Sequence, residues 1–213
     1  MIINFSFICE GSSDSSLIEH IKTILIECGA SEVSGDCPNF TLLRNEIGKD
    51  IKSRVDAALR LNSETNLLFI HRDADNAGRD ARLEEIRAAT AHIPGSIKII
   101  PIIPVTMLET WLLADEELIK IAAENRNYTG DLDIPRIGRL ENIADPKALL
   151  FEKIKKASEK TGRKLEKFNI YEARHYLVQN IEPHGPIRQL QSHIDFIADT
   201  NNAIAELENE QAR

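Results

Sequence analysis

Residues 66–78, with the sequence Asn-Leu-Leu-Phe-Ile-His-Arg-Asp-Ala-Asp-Asn-Ala-Gly, decide the fold of this chain of 213 residues. Asn66 to Ile70 is an apolar run of strand length, as expected for a strand that is buried on both faces of a sheet. The run leads directly into two aspartates, Asp73 and Asp75, and a helical pattern resumes a few residues later. The stretch therefore predicts a strand, an acidic loop and a helix in succession.

The same alternation of strand and helix patterns extends on both sides of this stretch. Strands are predicted at Ile2 to Cys9, Phe40 to Leu43, Asn66 to Ile70 and Ile97 to Ile103, and helices at 17–28, 47–59 and 80–92. This order is typical of an α/β fold, in which helices flank a mostly parallel sheet. We therefore expect residues 1–125 to form an α/β domain.

After Pro104 the pattern changes to helices joined by polar loops. Helices are predicted at Glu116 to Ala123, Ala148 to Lys160, Ile170 to Gln179 and Gln189 to Glu208. We expect residues 126–213 to form a helical C-terminal lobe packed on the sheet, with Trp111, the single tryptophan, as a core anchor between the two.

The composition excludes several classes of protein. The apolar fraction of 42% is close to that of folded domains and argues against disorder. The longest apolar runs, such as Ile97 to Met107, are too short to span a membrane and carry Lys98 and two prolines, so we expect no membrane partner. The start of the chain has no basic segment, which argues against a signal peptide. Three cysteines without CxxC spacing indicate reduced thiols in a cytoplasmic protein and argue against structural zinc.

Charge is distributed unevenly along the chain. The net charge is −8, which argues against coating of nucleic acid by bulk charge. Residues 147–174 nevertheless carry nine Lys or Arg against four Glu. Two interpretations of this basic stretch stay open: a solvated helix face, or a surface that follows phosphates.

Acidic residues follow three of the predicted strands. Glu10 ends the first strand and Asp14 lies four residues later; Asp73 and Asp75 follow the strand at 66–70, and Glu109 lies beyond the last. The carboxyl ends of parallel strands meet at one edge of the sheet, so these carboxylates would repel one another unless a cation were bound. Oxygen ligands of this kind suit Mg²⁺ or Mn²⁺. The sequence therefore predicts a divalent cation at this edge, and Asp73 and Asp75 can both face it if residues two apart at a strand end point the same way.

Some of the charged residues near these strand ends could instead have structural roles. Asp14 alone could cap a helix. Arg72 and Arg79 flank the two aspartates and could either pair with acids or reach substrate phosphates. His71, in a buried strand, fits a core histidine.

The motifs Glu10-Gly11-x-x-Asp14 and Asp73-x-Asp75-x-x-Gly78 together resemble the TOPRIM fold, a Rossmann-like fold of topoisomerases, primases and OLD-type nucleases. The Glu10 and Asp14 pairing is most similar to the OLD-type nucleases. Residues 108–115 (Leu-Glu-Thr-Trp-Leu-Leu-Ala-Asp) also resemble small TOPRIM-like proteins that are often encoded beside ATPases in bacterial defence loci. The resemblance covers about residues 1–115.

The resemblance implies a magnesium-dependent nuclease that cleaves phosphodiester bonds of DNA or RNA, as an antiphage defence effector. The metal ligands would be Glu10, Asp14, Asp73, Asp75 and Glu109. Of these, Glu10, Asp73 and Asp75 would be the catalytic residues, and Arg72 and Arg79 would bind the nucleic acid. The chain lacks a GxxxxGK[ST] motif, so any ATPase would be a separately encoded partner. The alternative is a non-catalytic TOPRIM-like module that binds a metal or a partner. A phosphatase of the HAD type is disfavoured, because its nucleophilic aspartate belongs on the first strand, which here ends in EGxxD.

Overall fold

Four strands form one all-parallel sheet within residues 1–43 and 47–211, the part of the chain that this computed structural model describes. The strands are β1 (Ile2–Ile8), β2 (Glu32–Asp36), β3 (Leu67–His71) and β4 (Lys98–Ile102). Their order across the sheet is β2-β1-β3-β4, so β1 and β3 are the two central strands. The predicted α/β class is confirmed.

Helices flank the sheet and make up the C-terminal region. They are α1 (Leu17–Glu27), α2 (Ile51–Leu61), α3 (Arg79–Thr90), α4 (Glu109–Leu112), α5 (Glu116–Ala122), α6 (Pro146–Ser158), α7 (Gly162–Glu166), α8 (Ile170–Gln179) and α9 (Gln191–Gln211). The helix predicted from residue 47 begins at Ile51 because Asp50 caps it, accepting a hydrogen bond from the Ser53 N–H at 2.8 Å.

The second strand does not lie where the sequence predicted it. The prediction of a strand at Phe40 to Leu43 is wrong, since Phe40–Leu42 is a short 3₁₀ helix. The observed strand, β2, is at the sheet edge and has the polar sequence Glu-Val-Ser-Gly-Asp, because an edge strand need not be apolar on both sides. Gly35 lies opposite Phe5, and a Cβ at this glycine would meet the Phe5 ring at 2.1 Å.

The two faces of the sheet bury different helices. On one face the rings of Phe5 and Phe69 pack edge to face, 5.4 Å apart, in a core shared with α1 and α9. On the other face Leu68 and Ile70 pack against α2 and α3. Burial of each such side chain stabilises the fold by about 1.5–3 kcal/mol.

The C-terminal helices continue the core of the first face. Leu150, Leu177 and Phe196, from α6, α8 and α9, belong to the same buried cluster as the sheet. The Trp111 indole N–H donates to Ser192 Oγ on α9 at 2.8 Å, which confirms Trp111 as an anchor between the sheet and the C-terminal region. The division at residue 125 stays a prediction. Within the described residues, no helix is both long and apolar enough to cross a membrane.

Candidate functional site

Glu10 and Asp73, which we call the outer pair, meet just beyond the ends of the two central strands. Ile8 of β1 pairs with Ile70 of β3, so the residues that follow both strands emerge side by side. Glu10 Oε2 accepts a hydrogen bond from the Asp73 N–H at 3.0 Å, and Asp73 Oδ1 accepts one from the Leu108 N–H at 2.9 Å. Both carboxylates are partly exposed, at 35% and 20% of their side-chain surface. Backbone donors therefore orient the outer pair while solvent still reaches it.

Asp75 lies in the same loop but is held by an arginine. Its Oδ2 is 3.0 Å from Arg82 Nη2, and Arg82 Nε donates to the backbone oxygen of Asp73 at 2.9 Å. Residues two apart point the same way only where the backbone is extended. Strand β3 ends at His71, and Asp75 has a left-handed φ of 45°. The direction of the Asp75 side chain could not be predicted from that alternation.

Asp14, Glu109 and Arg174 form a second group at the same edge, which we call the inner cluster. Arg174 Nη2 lies 2.7 Å from Asp14 Oδ1, and Arg174 Nε lies 2.8 Å from Glu109 Oε1. All three side chains are at least 92% buried. Burial alone would lower the pKa of the Arg174 guanidinium, but the charges of Glu109 and Asp14 outweigh burial and raise it.

The inner cluster shows what two of the predicted ligands, Asp14 and Glu109, bind in the structure. Asp14 ends a short 3₁₀ helix (Ser12–Asp14), and its carboxylate binds Arg174 instead of capping α1. Glu109 begins α4 and is 2% exposed, so the partner that offsets its desolvation here is the Arg174 guanidinium. Whether either carboxylate also ligates a metal stays a prediction.

His71 lies between the two groups. Its Nε2 is 3.2 Å from Asp73 Oδ1, and its Nδ1 is 3.8 Å from Asp14 Oδ2. Neither ring nitrogen is aligned for a hydrogen bond within the described residues, so the contacts are those of charge. Burial would lower the pKa of His71, but the two neighbouring carboxylates more than compensate, and the pKa is raised above its ordinary value. His71 is therefore buried, as a core histidine is, and its raised pKa favours the protonated form between the outer pair and the inner cluster.

The two arginines predicted to bind substrate lie in different places. Arg72 Nη1 is 3.6 Å from Glu10 Oε1, and Arg72 Nη2 is 3.3 Å from Glu85 Oε1. Arg79 instead pairs with Asp195 on α9, at 3.0 Å. The structure brings Arg72, but not Arg79, to the outer pair; contact of either with a substrate stays a prediction.

Sequence reasoning did not find Arg174 or Arg82. Arg174 lies 160 residues from Asp14 along the chain, inside a basic stretch that offers no reason to single it out. The one available signal is its helical spacing: Arg174 precedes Leu177 and Val178 by three and four residues, and both are buried. A cation on a buried helix face requires a buried anion.

A cavity of about 170 Å³ lies beside the outer pair. Its lining includes Glu10, Cys9, Cys37 and Arg54. Arg54 Nη1 donates to the backbone oxygens of Cys9 and Glu10, at 3.0 and 3.1 Å. A larger cavity of about 790 Å³ lies between α3, β4 and α9, but none of the outer pair or inner cluster lines it. The smaller cavity is therefore the one relevant to the acidic residues.

The residues present can be tested against the predicted magnesium or manganese ion. In the described residues, no group of three or more His, Cys, Asp or Glu side chains is placed to hold a metal. Mg²⁺ is, however, commonly bound through only one or two carboxylates, with water and substrate phosphates as its other ligands. Glu10 Oε1 and Asp73 Oδ2 accept no hydrogen bond from the described residues, so the outer pair offers two free oxygens. This donor set fits a hard divalent cation.

No protein-family model, curated protein or solved structure matches this chain. Any function assigned to the site depends on its own residues and geometry.

Proposed function

We propose that this chain is a TOPRIM-type nuclease that cleaves nucleic-acid phosphodiester bonds with Mg²⁺ or Mn²⁺. The observation that carries the proposal is the meeting of Glu10 and Asp73 past the ends of adjacent parallel strands, where α/β folds bind their ligands. The order of the acidic motifs supports the TOPRIM assignment, and the free oxygens of the outer pair support the choice of cation.

In this proposal the outer pair holds one ion, and Asp75 is a further candidate ligand. The bound ion would neutralise phosphate charge and polarise a phosphoryl oxygen. Glu10, whose side chain is partly exposed, would ligate the ion through Oε1. Arg72 Nη1, 3.6 Å from this oxygen, would orient the phosphate beside it.

The inner cluster has a supporting role in the proposed reaction. Arg174 binds both Asp14 and Glu109 and offsets one of the two negative charges that they would otherwise add next to the outer pair. The raised pKa of His71 favours a positive charge behind Asp73. Both effects lower the electrostatic cost of bringing a phosphate to an acidic edge.

The wider setting is also part of the proposal. The resemblance of residues 108–115 to small proteins of bacterial defence loci supports an antiphage effector that works with a separately encoded ATPase. Cys9, Cys28 and Cys37 are free thiols, which supports a cytoplasmic location.

The proposal is tested by incubating the protein with plasmid, single-stranded DNA and tRNA in Mg²⁺ or Mn²⁺, with and without EDTA. We expect cleavage of at least one substrate, abolished by EDTA. Glu10→Gln and Asp73→Asn should each reduce the rate by at least about 10²-fold, equivalent to about 2.7 kcal/mol of transition-state stabilisation.

The matched control is Glu84→Gln, which removes an exposed carboxylate on α3 that has no ion pair within the described residues. This variant should cleave like the wild type. Equal cleavage by wild type and Glu10→Gln, or cleavage that persists in EDTA, would contradict the proposal.

One observation favours a second candidate, a non-catalytic TOPRIM-like regulatory module. Two of the five predicted ligands, Asp14 and Glu109, already share the Arg174 guanidinium, and no three-ligand metal group exists among the described residues. A protein that binds Mn²⁺ through the outer pair but cleaves none of the three substrates would support this module instead of the nuclease.

A further inference from the structure

Five exposed cations lie close together in the sequence of the C-terminal region and have no carboxylate partner among the described residues. We call them the basic surface: Lys147 and Lys155 on α6, Arg163 and Lys164 on α7, and Lys167 directly after α7. Other cations of the same stretch are paired; for example, Lys160 binds Glu124 at 2.7 Å. The paired cations have structural roles, whereas those of the basic surface are free to bind an external anion.

An exposed aromatic ring packs against α6, the helix that carries two of these cations. Tyr171, in the first turn of α8, is 68% exposed, and its ring stands perpendicular to that of Phe151 on α6, 5.5 Å between centroids. Lys147 and Lys155 lie four residues before and after Phe151, so all three share one face of α6. Along this face the two lysines are about 12 Å apart, given a rise of 1.5 Å per residue. Through its contact with Phe151, the exposed Tyr171 ring therefore packs on the helix face that carries Lys147 and Lys155.

The basic surface lies on the elements that lead to the acidic edge. Arg174 follows Tyr171 by one helical turn on α8 and binds Asp14 and Glu109 in the inner cluster. On the next residue of α8, His175 Nδ1 lies 2.9 Å from Ser16 Oγ, close to the loop that follows Glu10. One helix thus connects the exposed ring with the candidate site.

We propose that the basic surface and Tyr171 bind a single-stranded nucleic acid, with phosphates on the cations and a base stacked on the tyrosine ring. A cationic groove that follows the backbone, combined with aromatic rings on which bases stack, is the usual means of binding single strands. The proposal rests on the proposed function only where it makes this strand the substrate of the outer pair.

Charge and apolarity favour this partner over a membrane. Residues 147–174 carry a net charge of +5 and the rest of the chain −13, so a polyanion is attracted to this face and repelled elsewhere. Tyr171 is the only large hydrophobic residue of 146–174 that is strongly exposed in the described structure. A membrane-binding surface would also expose Leu, Phe or Trp side chains for insertion.

The proposal is tested by fluorescence anisotropy with a labelled 20-nucleotide oligo-dT, an oligo-U of equal length and a duplex, all in EDTA to prevent cleavage. Two double variants remove cations from the basic surface: Lys147→Gln with Lys155→Gln, and Arg163→Gln with Lys164→Gln. The matched control is Arg60→Gln with Arg87→Gln, which removes two exposed cations on α2 and α3, on the other face of the sheet.

Single strands should bind more tightly than the duplex, and each basic-surface variant should raise Kd about tenfold. The slope of log K against log salt should fall by about 1.4 for each pair of phosphate contacts removed. The control variant should bind like the wild type. Equal binding by all three double variants would overturn the proposal.

Tyrosine variants test the stacking separately from the charge. Tyr171→Ala should raise Kd about 5- to 150-fold, the range expected for loss of one stacked base, and Tyr171→Phe should restore binding. The control Tyr176→Ala removes another exposed tyrosine of α8, one that is remote from Phe151 in helical phase. The proposal would be overturned if Tyr171→Ala bound like the wild type, or if a duplex bound as tightly as the single strands.

Failure of this inference is distinguishable from failure of the nuclease assignment. Cleavage that depends on Glu10, with binding unchanged in every basic-surface variant, would overturn the inference and leave the nuclease. Binding that is lost in these variants, without cleavage in any metal, would support the inference and overturn the nuclease. Binding of phosphatidylserine vesicles, but of no oligonucleotide, would identify the surface as a membrane contact and overturn the inference.

Discussion

The outer pair and the inner cluster lie at the same edge of the sheet, but water reaches them very differently. The outer pair is partly exposed and each of its carboxylates keeps one oxygen without a hydrogen bond from the described residues. The inner carboxylates are almost fully buried and share one guanidinium. The same residue types, Asp and Glu, thus have different roles. The inner carboxylates fix the position of α8, and the outer carboxylates stay available for a ligand.

The energetic consequence follows from desolvation. Removing one partner of a buried ion pair leaves an uncompensated charge and costs about 3–5 kcal/mol, whereas an exposed pair contributes about 0–1 kcal/mol. The inner cluster should therefore be essential for the fold, and the outer pair should be dispensable for it. The predictions below test this difference, in order of decreasing effect.

The largest effect is expected for Arg174→Met. This change leaves Asp14 and Glu109 buried without a cation, and we expect a loss of about 3–5 kcal/mol in the free energy of unfolding, measured in urea. Arg72→Met removes an arginine that is 21% exposed and pairs with Glu10 and Glu85, both partly exposed, and it should cost less than about 1 kcal/mol.

A rescue variant keeps this prediction testable if Arg174→Met does not fold. Adding Asp14→Asn and Glu109→Gln to Arg174→Met removes all three charges together and should recover most of the stability. An equal loss in the free energy of unfolding for Arg72→Met and Arg174→Met would contradict the distinction between the outer pair and the inner cluster.

A buried histidine pair provides a comparison with the charged inner cluster. His20 Nε2 and His193 Nε2 are 3.0 Å apart between α1 and α9, so one ring donates and the other accepts. Burial and the neighbouring His193 lower the pKa of His20 to about 3; burial and the charge of Arg188 lower the pKa of His193 to about 4. This pair stays neutral in the folded state.

Acid should therefore destabilise the fold through these histidines. Above pH 6.5 both rings are neutral in the folded and unfolded chains, and they add no pH dependence. As the pH falls below 6.5, the unfolded chain binds protons that the folded chain excludes, so stability falls by about 2 kcal/mol between pH 6 and 5. His20→Gln with His193→Gln should flatten this slope in urea unfolding at several pH values, and the exposed control His184→Gln should not.

A smaller effect separates Glu109 from Glu10. Glu109→Gln keeps a hydrogen bond to Arg174 but loses its charge, and we expect a loss of about 1–3 kcal/mol in the free energy of unfolding. Glu10→Gln should change stability by less than about 0.5 kcal/mol, since a Gln oxygen can still accept the Asp73 N–H. A larger loss of stability in Glu10→Gln than in Glu109→Gln would contradict the structural role of Glu109.

The parts of the fold that were predictable are those in which local pattern and burial agree. Strands β1, β3 and β4 are apolar because helices or other strands cover them, and their boundaries differ from the predicted ones by one residue or so. Strand β2 is polar and at the edge, and it packs through Gly35 against Phe5, a contact that only the tertiary structure reveals. Periodicity alone could not locate it.

The candidate site was likewise predictable only in part. The approach of Glu10 to Asp73 follows from two neighbouring parallel strands, which the strand and helix order implies. The direction of Asp75 depends on one left-handed residue, and the pairing of Asp14 with Arg174 depends on how α8 packs, 160 residues away. Apolar periodicity reveals neither the conformation of a single left-handed residue nor the partner that a buried arginine meets across the fold.

The central claim, that the outer pair binds the ion, is tested most directly by the effect of Mn²⁺ on the melting temperature of five proteins: wild type, Glu10→Gln, Asp73→Asn, Glu109→Gln and the control Glu84→Gln. An ion at ten times its Kd stabilises the folded state by about 1.4 kcal/mol, a rise of about 3–6 °C in the melting temperature for a chain of this size. We predict this rise in the wild type, Glu109→Gln and Glu84→Gln, and its loss in Glu10→Gln and Asp73→Asn. An equal rise in all five proteins, or a loss in Glu109→Gln alone, would contradict the claim.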